Sequence, residues 1–391
     1  MKIDHTKNQT ASLLLGALPP SLAVLLAFGG LCYAVDLYGW TQTWGALHLP
    51  TMYPPFADMR TVQGALPSIW HGFDPQLQNP GDPWGRPMNY PLVWIELAKI
   101  IHLEEEPYYL ALIFVMLAGY VASCIWVAWK SQSFWTLLVF CSFSSLLLME
   151  RGNNDLAIIA LLTLSAAWQP HRLGFFFIWI AACLKVYPGL AFAAFSRSRL
   201  EIALSITAGV LAFATFYSQL ESIRQSTPVA SVLSYGTLSI LALFKKSDAW
   251  LVVSINVSIC ALAVLLSFKI KMKESGPSET ILLLTSASVY VGTFLIGSNF
   301  DYRLAFLILT LPALSVQTAL LKHGLPILIL VAANQNLCMD AFGLIGRIGN
   351  IISKVLLAII FGGILFNHLW PRIGLLFQFG KSDNAQMKSG E

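Results

Sequence analysis

Five polar clusters interrupt an otherwise apolar chain, and each holds residues that bind or move charge. Asp58 and Arg60 stand two apart in Phe56-Ala57-Asp58-Met59-Arg60, and Arg86, Asn89 and Tyr90 follow in the stretch Asp82–Pro91. Glu150-Arg151-Gly152-Asn153-Asn154-Asp155 forms the third cluster, Lys185 with Tyr187 and Pro188 the fourth, and Asn299-Phe300-Asp301-Tyr302-Arg303, preceded by Ser298, the fifth. A carboxylate can take a proton from a hydroxyl, and lysines and arginines can hold a phosphate or meet the charge of a departing anion. Chemistry of that kind is what these residue types have in common.

Each cluster also has a plainer reading. A helix starting near Pro54-Pro55 would carry Asp58 in its first turn, where the dipole favours a carboxylate whether it is a helix-end charge or a base facing an acceptor hydroxyl. Arg86 beside Trp84 and Tyr90, in a proline-stiffened loop, suits a phosphate or a sugar ring, and suits equally an arginine stacked on tryptophan as scaffold. Gly152 and Asn153 stop one helix and cap the next, but Glu150, Arg151 and Asp155 beside hydrocarbon are costly unless they pair or face water, so they mark a polar cavity. Lys185 lies near the middle of an apolar piece, where a charged lysine costs ~2.5 to 3.5 kcal/mol on insertion scales. Pro188, lacking an N–H and clashing with the carbonyl of Leu184, predicts a helix break beside that cation. An inward-facing phosphate or carboxylate partner is expected for Lys185, against snorkelling to an interface. Asn299 is expected to cap the helix that follows, with Asp301 and Arg303 too close in sequence to face each other.

These islands need a membrane scaffold. Charged residues are 11% of the 391 and apolar ones 56%, where soluble domains carry ~25% charged. Candidate spans are Ser12–Val35, Pro107–Trp129, Phe134–Met149, Leu156–Trp168, Leu173–Phe195, Ile202–Tyr217, Trp250–Phe268, Thr280–Gly297, Leu304–Val316, Leu325–Met339 and Ile351–Leu369. The runs are continuous and long enough for helices crossing ~30 Å of hydrocarbon, without the alternation of a barrel. The expected fold is all-α: one polytopic bundle over residues 1–391, with about ten to eleven membrane helices. The first run, after Lys2 and Lys7, reads as an uncleaved span because it is long and contains Pro19-Pro20. Placing the N-terminus, Lys130, Arg197, Arg199 and the cluster Lys269, Lys271, Lys273 in the cytoplasm puts the long first loop, 40–106, outside. Three apolar pieces between Lys130 and Arg197 cannot return the chain to one side, so one piece must fail to cross, as a short or re-entrant helix. Ten true crossings follow. Val62, Leu66 and Ile69, then Val93, Leu97 and Ile101, predict two amphipathic helices along the membrane surface. Residues 381–391 form a polar tail. The small net charge of +4 argues against a nucleic-acid partner, and the six scattered cysteines read as packing residues.

With these residues in place, the chain resembles membrane glycosyltransferases of the GT-C superfamily, and most closely family 87, whose members use polyprenyl-phosphate-mannose. The likeness rests on Asp58 and Arg60 in a long outer loop, Arg151-Gly152-Asn153-Asn154-Asp155, Leu184-Lys185-Val186-Tyr187-Pro188 and Asn299-Phe300-Asp301-Tyr302-Arg303. It implies a polyprenyl-phosphate sugar donor, a glycan or glycolipid acceptor on the outer face, inversion at the sugar carbon, and Asp58 as base. Arg303, Lys185, Arg86 and Arg60 are then the expected phosphate ligands, and Asn89, Tyr90, Asn154, Asp155, Tyr187, Asp301 and Tyr302 the expected substrate contacts. Asp58 has no adjacent acidic partner, unlike the broader superfamily, so neither a metal nor another cofactor is expected. A bacterial inner membrane, with the site towards the periplasm, is the expected location. Two other classes fit the same residues: a transporter of an anionic lipid-linked sugar, and a non-catalytic membrane subunit of a glycan-assembly complex.

Overall fold

Helices carry nearly all the regular structure of the computed structural model, which describes residues 19–168, 172–195, 198–227, 233–243, 248–297 and 299–376. Lys2, Lys7, Arg197, Ser298 and the tail at 381–391 lie outside the described residues. Six helices among those described, beginning at Pro20, Glu106, Leu200, Ala249, Pro277 and Gln335, are long and apolar enough to cross a membrane. Shorter helical pieces fill the space between them, so the protein is an all-α membrane bundle.

The first helices lead to the earliest candidate residues. Helix α1 (Pro20–Tyr38) leads through α2 (Trp40–Ala46) into the loop region, where α3 (Ala57–Gln63), α4 (Ala65–Trp70) and α5 (Val93–Ile101) lie. The single helix expected over 61–70 is divided at Gly64. There the backbone of Gly81 crosses so closely that a Cβ on Gly64 would sit 2.4 Å from its carbonyl carbon. Val62 and Leu66 are buried in protein and do not face a lipid surface, whereas Val93 is exposed and Leu97 and Ile101 are half-covered. In α5 the buried side is instead Trp94, Ile95 and Ala98.

Helix α6 (Glu106–Ser131) then runs away from this region, and at its far end Lys130 meets Glu279 at 3.3 Å. The return is made by α7 (Trp135–Phe140) and α8 (Phe143–Arg151), which split the Phe134–Met149 piece at Cys141-Ser142, with the Ser142 hydroxyl capping the second. Gly152 ends α8 at φ +54°, and a Cβ there would come within 2.6 Å of Phe56 Cβ. Glycine is required on both counts.

After α9 (Asp155–Ala167), α10 (Arg172–Leu184) climbs back and stops at the residue before Lys185. A 3-10 segment, Tyr187–Phe195, then descends antiparallel to α10: the Phe175 ring lies 4.9 Å from that of Phe195 and 6.3 Å from that of Phe192. The piece carrying Lys185 is a hairpin with Lys185 at its tip.

Helix α11 (Arg199–Phe216) continues into α12 (Leu220–Ser226), and β1 (Ser234–Tyr235) precedes α13 (Thr237–Leu243) and α14 (Ala249–Ser267). Helix α15 (Pro277–Ile296) leads into β2 (Asn299–Phe300), which pairs antiparallel with β1, Ser234 opposite Phe300 and Tyr235 opposite Asn299. A second 3-10 segment, Asp301–Thr310, begins at once and passes into α16 (Leu311–Ser315). Both of these unusually long 3-10 runs start at candidate site residues. The last two apolar pieces divide earlier than expected. Helix α17 (Leu325–Ala333) stops at Asn334, whose side chain accepts from Phe143 N and donates to Leu330 O, and α18 (Gln335–Leu376) runs on with a kink at Gly343. Lys269, Lys271 and Lys273 follow α14 at the end remote from Asp58, where Asn367 donates to Ser267 O and Ile270 O.

Candidate functional site

A continuous run of polar contacts joins the clusters. Asp58, in the first turn of α3, accepts a 2.6 Å hydrogen bond from Asn153 Nδ2 through one carboxylate oxygen. Its other oxygen lies 3.9 Å from Arg86 Nη1. Asn153 Oδ1 in turn accepts from Lys185 Nζ at 3.1 Å and from the N–H of Asp155 at 3.0 Å. Only one orientation of this amide serves a carboxylate on one side and two donors on the other, so its assignment follows from its neighbours. Asn153 was expected only to cap a helix. The cap position of α9 is Asn154; the Asn153 oxygen binds the N–H of Asp155, the first residue of α9, and its amide nitrogen connects the base candidate to the cations.

Lys185 spends its three protons on Asn153 Oδ1, Asn154 Oδ1 at 2.7 Å and Asp155 Oδ1 at 2.5 Å. The carboxylate partner expected for this cation is thus Asp155, fully buried at the start of α9. Tyr187 donates to the same Asp155 oxygen. The second Asp155 oxygen faces Arg303 Nε at 3.6 Å, and among the described residues neither atom has a hydrogen-bond partner. Arg303 lies over the Tyr187 ring at 4.7 Å and is steadied by Asn299 Oδ1. Contrary to expectation, Asn299 does not cap the segment that follows: its oxygen takes Arg303 and its nitrogen donates to Thr293 O. Lys185 is held by a full set of acceptors, whereas Arg303 keeps a buried donor to offer.

Two cavities meet at this network. One, of about 440 Å³, has Asp58, Arg86 and Arg151 in its wall, with Phe300 opposite. The other, of about 400 Å³, takes Lys185, Tyr187 and Arg303 at one end and apolar residues including Leu190, Ala212 and Phe213 along the rest. Asn89, Tyr90 and Tyr302 line both. Burial, with the Asp58 charge next to it, holds the Tyr90 phenol well above its ordinary pKa, so it stays a hydroxyl.

The remaining expected residues fall elsewhere. Arg86 is clamped by Asp82, lies on the Trp84 ring at 4.5 Å and donates to Ala57 O, so it is both scaffold for α3 and a cavity wall. Arg60 is not among the phosphate candidates: its guanidinium is bound at both ends to Glu106 (2.6 and 2.8 Å) and covers Tyr109 at 4.4 Å. A tight ion pair with α6 is what its short distance from Asp58 in sequence concealed. Asp301, expected at the substrate, is turned inward onto Lys354, and Asn154 is buried behind Lys185.

Glu150 adds a titratable support. Its side chain is buried, accepts from Met52 N at 2.8 Å and faces Arg151 Nε at 3.3 Å, and so holds the loop that carries Pro50 and Met52 into the Asp58 cavity. Burial raises its pKa from 4.5 to about 7, against the opposing pull of Arg151. The folded state then binds more protons than the unfolded one between those values, so this contribution to stability is complete below about 4.5 and is lost as pH rises through about 7. Thermal unfolding in detergent is expected to show this fall, and Glu150→Gln to flatten it; an unchanged profile in the variant would assign the dependence to other groups.

No protein-family model, curated protein or solved structure matches this chain.

Proposed function

We propose that the protein is a membrane glycosyltransferase of the GT-C kind, moving a sugar, mannose by resemblance, from a polyprenyl-phosphate donor to a glycan or glycolipid acceptor. The observation that carries this reading is the pair of cavities with a common wall of Asn89, Tyr90 and Tyr302, a carboxylate in one and two cations in the other. In the reaction, the acceptor hydroxyl lies in the Asp58 cavity and the donor phosphate at Arg303 and Lys185, its lipid along Leu190, Ala212 and Phe213. Asp58 takes the hydroxyl proton as the oxygen attacks the anomeric carbon from the face opposite the phosphate. The bond to phosphate breaks, and the polyprenyl phosphate leaves as an anion. The Arg303 guanidinium, in the wall of the donor cavity, meets the developing charge, and Lys185 adds a fixed positive field. Preorganised charge of this type is usually the largest catalytic contribution.

In the membrane, ten crossings and one re-entrant hairpin, Arg172–Phe195, would place the site at the outer leaflet and the basic cluster Lys269, Lys271, Lys273 in the cytoplasm, as the distribution of lysines favours. The test is direct. Purified protein in nanodiscs is expected to transfer labelled sugar from a polyprenyl-phosphate donor to membrane glycolipids, releasing polyprenyl phosphate with inversion. Movement of the labelled donor across vesicles with no glycosidic bond formed would instead make it a transporter, and binding without turnover a non-catalytic subunit.

A further inference from the structure

Lys354 is the one charged residue inside the apolar stretch Ile351–Leu369 of α18, and it is 3% exposed. Its ammonium has three acceptors on three different segments: Asp301 Oδ2 at 2.9 Å, Gln335 Oε1 at 2.8 Å and Ser234 O at 3.1 Å. The Lys354 backbone carbonyl accepts from Tyr290 OH at 2.7 Å, which ties α15 to the same point. Two of the three acceptors belong to the β1–β2 corner. Ser234 pairs with Phe300, and Asp301 N donates to Leu233 O at 2.8 Å. From the front of that corner, Leu233 and Phe300 line the Asp58 cavity, Arg303 the cationic cavity and Tyr302 both. Behind it a space of about 30 Å³, lined by Lys354, Gln335, Arg347 and Ser239 among others, has room for a water or two and no more.

We propose that Lys354 is a positioning residue: fastened to Asp301, Gln335 and Ser234 behind the β1–β2 corner, it fixes where Tyr302 and Arg303 stand in the two cavities. A tetrahedral ammonium with three fixed acceptors has no freedom left, and a corner of two two-residue strands has little stiffness of its own. A lysine inside an apolar helix is costly, and neither cavity touches its ammonium, so its use is in what it holds. The chemical arm of the claim rests on the phosphate-site reading above; the structural arm does not.

The experiment compares the full chain in nanodiscs as wild type, Lys354→Arg, Lys354→Met and the double variant Asp301→Asn/Lys354→Met. The double variant removes the carboxylate that Lys354→Met alone would leave buried and unpaired, so it is expected to fold where the single variant does not. Two readouts are taken: hydrogen exchange at 233–235 and 299–303, and thermal stabilisation by a polyprenyl monophosphate. The double variant is expected to regain the unfolding temperature, yet exchange at the corner about tenfold faster with α6 unchanged, and bind polyprenyl monophosphate about tenfold more weakly. Lys354→Arg, which keeps charge and donors, is expected to recover part of the binding. Wild-type exchange at the corner in the double variant would overturn the proposal. If wild type itself is not stabilised by polyprenyl monophosphate, the phosphate site falls, and the exchange data decide Lys354 independently.

Discussion

Asp58→Asn is expected to lower sugar transfer by roughly 10²- to 10⁴-fold, the usual range for removing a general base, while leaving the fold and donor binding as they were. Asparagine at this position keeps an oxygen for Asn153 Nδ2, now held at 2.6 Å by the carboxylate. Arg86 does not depend on Asp58, because Asp82 binds the same guanidinium at 2.8 and 3.1 Å. The cations of the second cavity keep Asp155. Only the ability to accept a proton is removed, so the loss should fall on kcat, with unchanged unfolding temperature and unchanged stabilisation by polyprenyl monophosphate. Turnover within about threefold of wild type would take the base role from Asp58, threefold being under 1 kcal/mol of barrier.

Much of this site was legible because single residues with strong local rules announce it. Pro188 forbids a continued helix, and α10 does end at Leu184, one residue before the cation. Gly152 announces a left-handed helix end, and a left-handed end is what the structure has. Asp58 lies in a first turn as its distance from Pro54-Pro55 indicated. What no local rule reports is a partner far along the chain. Arg60 looked available because Glu106 is 46 residues away, and Lys354 went unremarked in an apolar run because Asp301 is 53 away. Asn153 had a ready local reading as a helix cap, which hid its contact, 95 residues off, with Asp58.

The hairpin shows how bookkeeping can reach what periodicity does not. Nothing in the apolar composition of Tyr187–Phe195 distinguishes a descending 3-10 segment from the continuation of α10. The expected placement of Lys130 and Arg197 on one side asked for one of three apolar pieces to stop short of crossing, and the chain folds back at one of the three, at Lys185-Val186-Tyr187-Pro188. Irregular backbone at membrane depth is tolerated where it lines a cavity, and Lys185, Val186 and Tyr187 line one. The division at Asn334 had no such signal, since a lone asparagine between two apolar runs reads as well inside a span as at its end.

Asp155→Ala should have the largest effect on stability, and an anionic ligand should recover part of it. The carboxylate is fully buried and answers Lys185 and Arg303, whose side chains are 12% and 16% exposed. Removing it leaves two nearly buried cations together and takes the acceptor from the Tyr187 hydroxyl. Losing one partner of such a buried arrangement typically costs about 3 to 5 kcal/mol, and thermal unfolding in nanodiscs should fall accordingly. The same loss leaves a vacancy for an anion between the two cations, next to the cavity in which the donor phosphate is proposed to lie. Inorganic phosphate or polyprenyl monophosphate should therefore stabilise Asp155→Ala more than wild type, whereas the uncharged polyprenol should not. A tenfold gain in affinity would appear as roughly 1.4 kcal/mol of extra stabilisation at saturating ligand. Equal stabilisation of the two proteins would mean that phosphate does not use the space Asp155 leaves, and stabilisation of neither would mean that it does not reach Lys185 and Arg303, so that the donor would have to bind elsewhere.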